Sequence, residues 1–389
     1  MRITLVHYSA PPVIGGVESV LGAHARLFRS AGHEVTIVAR RGSPDRLLAG
    51  TDPTDELAEA VHGSDIVIAH NVLTMPFDMG LTQALWTIAE RNPKPRWIAW
   101  VHDVAVANPD YDFPWHQSPW DLLTRSCPHF SYLAVSSQRA RQMEATSRAD
   151  VRVIPNGVDP AEVLGLTPPV AAFAGKHRLL ERDVVLIHPT RLLRRKNVEF
   201  GLEVIAELRR RGKDAVTMIT GAADPHNERS AEYASALLRR RTLLGLDESA
   251  LLVGEHFPVA PLDLTGLYQL ADALFFPSRQ EGFGLPVLEA ALHRLPVFCA
   301  DIEPMSCLLN HSLHVFDPEG SAAEVATLIQ RTLDRSPTLR ARRETVFCYS
   351  WDSVWRRYLE PLLRGEGFAD NDGAVPCFKR QIPDFASGI

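Results

Sequence analysis

The sequence predicts an α/β protein made of two doubly wound, parallel-sheet domains that face each other across a cleft. Three observations carry this. Short apolar runs alternate with amphipathic stretches along most of the chain, the pattern of strands and helices in open parallel sheets. The alternation is interrupted once, near the middle. A length of 389 residues exceeds what one hydrophobic core usually covers, which favours two domains.

In the first half, residues 3–6, 35–38, 66–69, 97–101 and 133–135 read as buried strands. In the second half, residues 184–187, 216–219, 251–253, 274–276 and 297–299 do the same. Between them lie helical faces such as Val198, Leu202, Ile205 and Leu208, spaced for one side of a helix. The interruption is AEVLGLTPPVAAFAGKHRLLERD, with Pro168-Pro169 and no regular strand. It sets the expected domains at 1–165 and 183–345. Residues 346–389 form a last segment, in which a helix capped by Ser350 or Asp352 precedes an irregular tail from Gly365 and is free to pack back on the first domain. In doubly wound sheets, ligands bind beyond the C-terminal ends of the strands, so the loops at those ends are where site residues are sought.

Composition narrows the function. Hydrophobic content of 46%, charged content of 23% and a formal charge of −6 fit a soluble globular protein and argue against a dedicated nucleic-acid binder. The basic runs at 209–211 and 239–241 read as solvated helix surface. Five cysteines, Cys127, Cys299, Cys307, Cys348 and Cys377, contain no CxxC pair, so neither a disulfide framework nor a zinc site is expected. The opening MRITLVHYSA lacks a signal-peptide layout, and no apolar stretch is long enough to span a bilayer. The expected location is the cytoplasm, with at most peripheral membrane contact.

The stretch RQEGFGLPVLEAALHRLPVF at 279–298 holds the strongest chemical signal. A strand ends at Phe276, Pro277-Ser278 breaks it, and Gly282-Phe283-Gly284 forms a loop before a helix with Pro286 in its first turn. In that helix Leu288, Ala291 and Leu292 are expected to face the core. Glu281 lies in the loop and Glu289 one turn into the helix, so both point toward the same end of the sheet. Backbone N–H groups at Gly284 and Leu285 open a helix and attract phosphate. A carboxylate there accepts hydrogen bonds from a vicinal diol. The pattern suits a ligand with phosphates in the middle and a sugar at each end. From spacing alone, a strand–loop–helix unit with incidental acids explains it equally well.

Other candidates stand at strand ends. Gly15 and Gly16 follow the first strand and precede a helix. His102-Asp103 follows the run 97–101, and His70-Asn71 follows 66–69, with His7 a weaker case. Asp110-Tyr111-Asp112 spells a D-x-D but reads as a loop, so metal binding is not expected there.

EGFGLPVLEA resembles the E-x7-E signature of retaining glycosyltransferases of the GT-B fold, family 4 of the sugar-nucleotide-dependent enzymes. Further segments stand in the same order as in that family: Gly15-Gly16-Val17-Glu18, VIPNGVD at 153–159, Arg191 with Lys196-Asn197, and Phe276-Pro277-Ser278. The likeness spans residue 3 to about residue 360. It implies a hexosyl transfer from a UDP- or GDP-sugar to a hydroxyl acceptor, with retention and without metal or other cofactor, in carbohydrate biosynthesis.

By that resemblance Glu281 contacts the donor sugar and Glu289 the ribose. Arg191 and Lys196 hold the diphosphate, and His102 lies near the reacting carbon. Gly15, Gly16, Gly282, Phe283, Gly284 and Leu285 complete the donor contacts, and His70, Asn71 and Asp103 face the acceptor, a glycoside, glycan or small hydroxyl compound. Fixed cations and helix N–H groups stabilise a leaving nucleoside diphosphate. The sequence departs from the family after LEAAL, where His293-Arg294-Leu295 replaces the usual glycine, and at Asp301-Ile302-Glu303-Pro304-Met305, where a glycine-rich turn is usual. A nucleotide-sugar epimerase of the same architecture, which needs no acceptor, and a catalytically silent nucleotide-sugar-binding protein are the alternatives.

Overall fold

The computed structural model describes residues 1–221 and 228–367. Cys377 and the tail beyond residue 367 lie outside the described residues. The chain divides into two compact units, Met1–Val158 together with the chain from Cys348 onward, and Asp159–Phe347.

The first unit is built on a seven-stranded parallel sheet. Its strands are β1 (Arg2–Ser9), β2 (Glu34–Arg41), β3 (Arg46–Leu47), β4 (Ile66–His70), β5 (Arg96–Val101), β6 (Phe130–Ala134) and β7 (Val151–Val153). They stand in the order β3-β2-β1-β4-β5-β6-β7. The second unit carries a six-stranded parallel sheet in the order β10-β9-β8-β11-β12-β13. Its strands are β8 (Val184–His188), β9 (Ala215–Ile219), β10 (Ala250–Leu252), β11 (Ala273–Phe276), β12 (Val297–Ala300) and β13 (His314–Phe316). Each unit is therefore Rossmann-like: strand order reverses once, between β1 and β4 in one sheet and between β8 and β11 in the other.

Every strand expected from an apolar run is present, the run at 251–253 being one residue early because Val253 opens a 3-10 turn. Three short strands, β3, β7 and β13, were not expected. All lie at sheet edges, where two or three residues such as Arg46-Leu47 need no apolar run to add to a ladder. The central strands are continuously buried, as β4 and β8 are over all their residues, because helices cover both faces.

The helix Leu285–Leu292 departs from expectation. Val287 and Ala290 are its buried residues, not Leu288, Ala291 and Leu292, and Leu292 is 85% exposed. The helix has only eight residues, so it buries a single i, i+3 pair, and the stripe is turned by one residue from the predicted one.

After the chain re-enters the first unit at Cys348, the Ser350 hydroxyl caps the helix Trp351–Val354 by accepting from the Ser353 amide at 3.2 Å. Val354, Tyr358, Leu359, Leu362 and Leu363 then join a core cluster with Ile3, Leu5, Phe28 and Trp100. Arg96 donates to the final helical carbonyls, Leu362 at 2.9 Å and Leu363 at 2.7 Å, which satisfies acceptors a helix end leaves open. Gly157, within VIPNGVD, packs so closely on Trp351 that a Cβ there would sit 2.5 Å from the indole.

Candidate active site

The residues singled out in the sequence fall into one set in each unit, and each set gathers where its own sheet reverses strand order. Loops leaving the two central strands diverge there and open a crevice beyond the strand ends.

In the second unit the loops follow β8 and β11. The first forms the 3-10 turn Arg194–Lys196. Lys196 donates to Glu281 in an ion pair whose side chains are only 12% and 9% exposed. Arg195 adds a second cation 3.8 Å from the same carboxylate and donates to the Gln280 carbonyl at 3.1 Å. The Arg279 amide donates back to the Arg195 carbonyl at 2.8 Å. Its guanidinium pairs with Glu199 at 3.0 Å and with Glu319, partners that push its pKa above the ordinary arginine value. The two loops are thus tied together by both backbone and side chains. The Lys196 ammonium also stands 5.4 Å from the centre of the Phe276 ring.

Gly284 precedes the helix Leu285–Leu292 with φ +97°, a conformation side-chain-bearing residues rarely adopt. A Cβ there would also lie 3.2 Å from the Met305 side chain. No acceptor within the described residues meets the amides of Gly282, Phe283, Gly284 and Leu285. They form an open run of donors at the positive end of the helix. Phe283 and Leu285 are 52% and 60% exposed. Glu289 does not join the Lys196–Glu281 pair; its carboxylate accepts from the Tyr268 hydroxyl at 2.7 Å.

Arg191 is exposed, and its guanidinium has no partner among the described residues. Its backbone is held closely: a Cβ on Gly221 would fall 1.8 Å from the Thr190 carbonyl oxygen. Three buried polar atoms near these loops lack a partner among the described residues, His188 Nε2, Asn197 Oδ1 and Ser278 Oγ. Burial lowers the His188 pKa to about 3, and the Lys196 charge acts in the same direction.

In the first unit, His7 on β1, His70 at the end of β4 and His102 after β5 stand side by side. His7 Nδ1 lies 2.7 Å from the His70 carbonyl, and His70 Nδ1 lies 3.2 Å from His102 Nε2. Burial lowers the pKa of all three, that of His102 to about 3 and that of His70 well below the ordinary value. Burial thus disfavours the charged form of each ring. Asn71, at φ +61°, turns its Oδ1 to accept the amides of His102 at 2.7 Å and Asp103 at 3.0 Å. Arg139 pairs with Asp103 at 2.7 Å and donates to the His102 carbonyl at 3.1 Å.

Gly15 and Gly16 open the helix Gly16–Ser30. The Glu18 carboxylate folds back over this helix start, accepts from the Ser9 hydroxyl and lies 3.8 Å from His7 Nε2. It fills the space a Gly15 side chain would need, whereas Gly16 faces open space. Asp110 and Asp112 are exposed, and among the described residues no group of three His, Cys, Asp or Glu is placed to hold a metal ion. No described helix is long and apolar enough to cross a membrane.

Sequence reasoning missed Arg195, Arg139 and Tyr268, which contact Glu281, Asp103 and Glu289, and Arg279, which ties the loop of Glu281 to that of Lys196. Arg195 and Arg279 lie inside motifs already noticed and so were within reach. Tyr268 and Arg139 come from preceding or following helices, and no local pattern marks them.

Residues 171–345 match the family model for glycosyl transferases group 1. Glycogen synthase of Mycobacterium tuberculosis is 24% identical over 448 aligned residues, covering 99% of this chain and 100% of that protein. Alpha-D-kanosaminyltransferase of Streptomyces kanamyceticus is 27% identical over 173 residues, 44% of this chain and 42% of that protein. Among solved structures, Anabaena HepE in complex with UDP aligns over 94% of this chain and 100% of its own at 18% identity, with a TM-score of 0.38. The second unit thus matches glycosyl transferases group 1 over most of its length, and the chain is a glycosyltransferase enzyme with the two Rossmann-like units of the GT-B fold.

Proposed function

We propose that the protein is a retaining, family 4 glycosyltransferase that moves a hexosyl group from a UDP- or GDP-sugar to a hydroxyl acceptor. One observation carries the reading: Lys196, Glu281 and the unpaired amides of Gly282–Leu285 converge where the second sheet reverses strand order. That set supplies cations and N–H donors for a diphosphate beside a carboxylate for sugar hydroxyls. The unpartnered Arg191 adds a second cation with a fork suited to phosphate. Glu289 takes the ribose.

In this reading Lys196 exchanges Glu281 for phosphate when donor binds, which frees the carboxylate for the sugar. Charge growing on the leaving diphosphate is met by Lys196, Arg191 and the helix amides, so the charge balance is met without a divalent ion. The leaving phosphate takes the acceptor proton as the acceptor oxygen attacks from the same face, which retains configuration. The neutral imidazole of His102 orients a donor hydroxyl, and Asn71 and Arg139 fix the His102-Asp103 turn from which it projects. His70, Asn71 and Asp103 are assigned to the acceptor side.

A thermal-shift panel of nucleoside diphosphates and their sugars tests this. A ligand at a hundred times its dissociation constant adds about 2.7 kcal/mol to the native state. Stabilisation by a UDP- or GDP-sugar, followed by an α-linked product from an α-linked donor, is expected. No shift with any nucleotide, or an epimerised donor formed without acceptor, counts against it.

A further inference from the structure

The Glu289 carboxylate has one bonding partner among the described residues, and it is uncharged. The Tyr268 hydroxyl donates to Glu289 Oε2 at 2.7 Å, and no cation pairs with this carboxylate. Tyr268 is 2% exposed, on the helix Pro261–Leu270, so its ring is fixed by packing. His293 lies flat against it, with ring centroids 5.0 Å apart and planes within 10°. Gln269 Nε2 and His293 Nδ1 stand 3.3 Å apart, which steadies the histidine. Burial and the adjacent carboxylate both raise the Tyr268 pKa, so the phenol stays a donor at neutral pH.

A carboxylate on a helix surface ordinarily rotates about its terminal torsion. One hydrogen bond from a rigid phenol stops that rotation and takes one lone pair of Oε2. Both lone pairs of Oε1 and the second of Oε2 remain, a set of acceptors that meets the two hydroxyls of a vicinal diol. A cation in place of Tyr268 would hold the carboxylate equally well but draw away its charge.

We propose that Tyr268, backed by His293, is a positioning residue that sets the Glu289 carboxylate for the cis-diol of a ribonucleotide and so makes the site select ribonucleoside over 2′-deoxyribonucleoside diphosphates. This rests on the assignment of Glu289 to the ribose.

The test is a cycle of protein variant against ligand hydroxyl. Dissociation constants of UDP, GDP and their 2′-deoxy counterparts are measured by calorimetry on the wild type, Tyr268→Phe and Glu289→Ala. The wild type is expected to bind a ribonucleotide at least about tenfold more tightly than its deoxy form. In Tyr268→Phe that ratio falls about fivefold, a coupling a purely structural role would not produce, since it would weaken both ligands alike. In Glu289→Ala the ratio approaches one. If Tyr268→Phe does not fold, His293→Ala, which removes the stacked ring and keeps the hydroxyl, takes its place and is expected to lower the ratio. An undiminished ratio in a folded Tyr268→Phe, with the ratio abolished in Glu289→Ala, overturns the role of Tyr268 alone. A wild type that binds neither nucleotide, or binds ribo and deoxy forms equally, overturns the ribose assignment and this proposal with it.

Discussion

Lys196 and Glu281, 85 residues apart in sequence, form an ion pair in which both side chains are nearly buried. The pair joins the loops after β8 and β11, and it brings a cation and an acid of the candidate site into direct contact. A ligand phosphate and a ligand hydroxyl can each replace one half of it.

Lys196→Ala is expected to lower turnover by roughly 10²–10³-fold, the scale of losing one group that stabilises transition-state charge. Arg195, 3.8 Å from Glu281, remains as a partner for the acid, so the fold is retained. Turnover of the preferred sugar nucleotide, read beside circular dichroism, checks both parts. Wild-type rates would remove the assigned role.

Gly284→Ala forces a side chain into φ +97° and toward Met305. A loss of about 1–3 kcal/mol follows from the backbone conformation. The denaturation midpoint reports it, and nucleotide affinity should fall as well, because the adjacent amides shift. An unchanged midpoint would show that the helix start relaxes freely.

Asn71→Ala removes the acceptor shared by the His102 and Asp103 amides. With two donors unpaired and a left-handed residue no longer favoured, the expected cost is about 2 kcal/mol or more. Asn71→Asp keeps the acceptor oxygen and should recover most of that stability. Chemical denaturation of the two variants distinguishes a capping role from simple packing.

The buried histidines make stability depend on pH. His24 packs against His70, Trp100, Trp351 and Phe28, and neither ring nitrogen has a partner among the described residues. Burial, then the nearby His102, lowers its pKa from 6.5 to about 3. Between those values the unfolded chain binds more protons than the native one, so stability is lost as pH falls below 6.5. From pH 6.5 to pH 5 this group alone removes about 2 kcal/mol. His24→Leu should therefore unfold at a higher temperature than the wild type at pH 5, with a smaller difference at pH 7.5. Equal pH slopes in the two proteins would contradict the shift.

Much of this was legible in the chain itself. The apolar runs mark the long strands because a strand covered on both faces must be apolar throughout, and the glycine–proline punctuation around Glu281 marks a loop entering a helix. Both are local consequences of burial and backbone sterics, so residue order alone determines them. The edge strands β3, β7 and β13 and the one-residue rotation of the helix after Gly284 were not legible, because neighbouring elements decide them. Pairing lay further out of reach. That Lys196 meets Glu281, that Tyr268 rather than a cation holds Glu289, and that three histidines line up at the ends of β1, β4 and β5 all depend on strand order. Contacts between residues tens of positions apart become specified only when the sheets assemble, since side-chain direction at a strand end is set by its partners across the sheet.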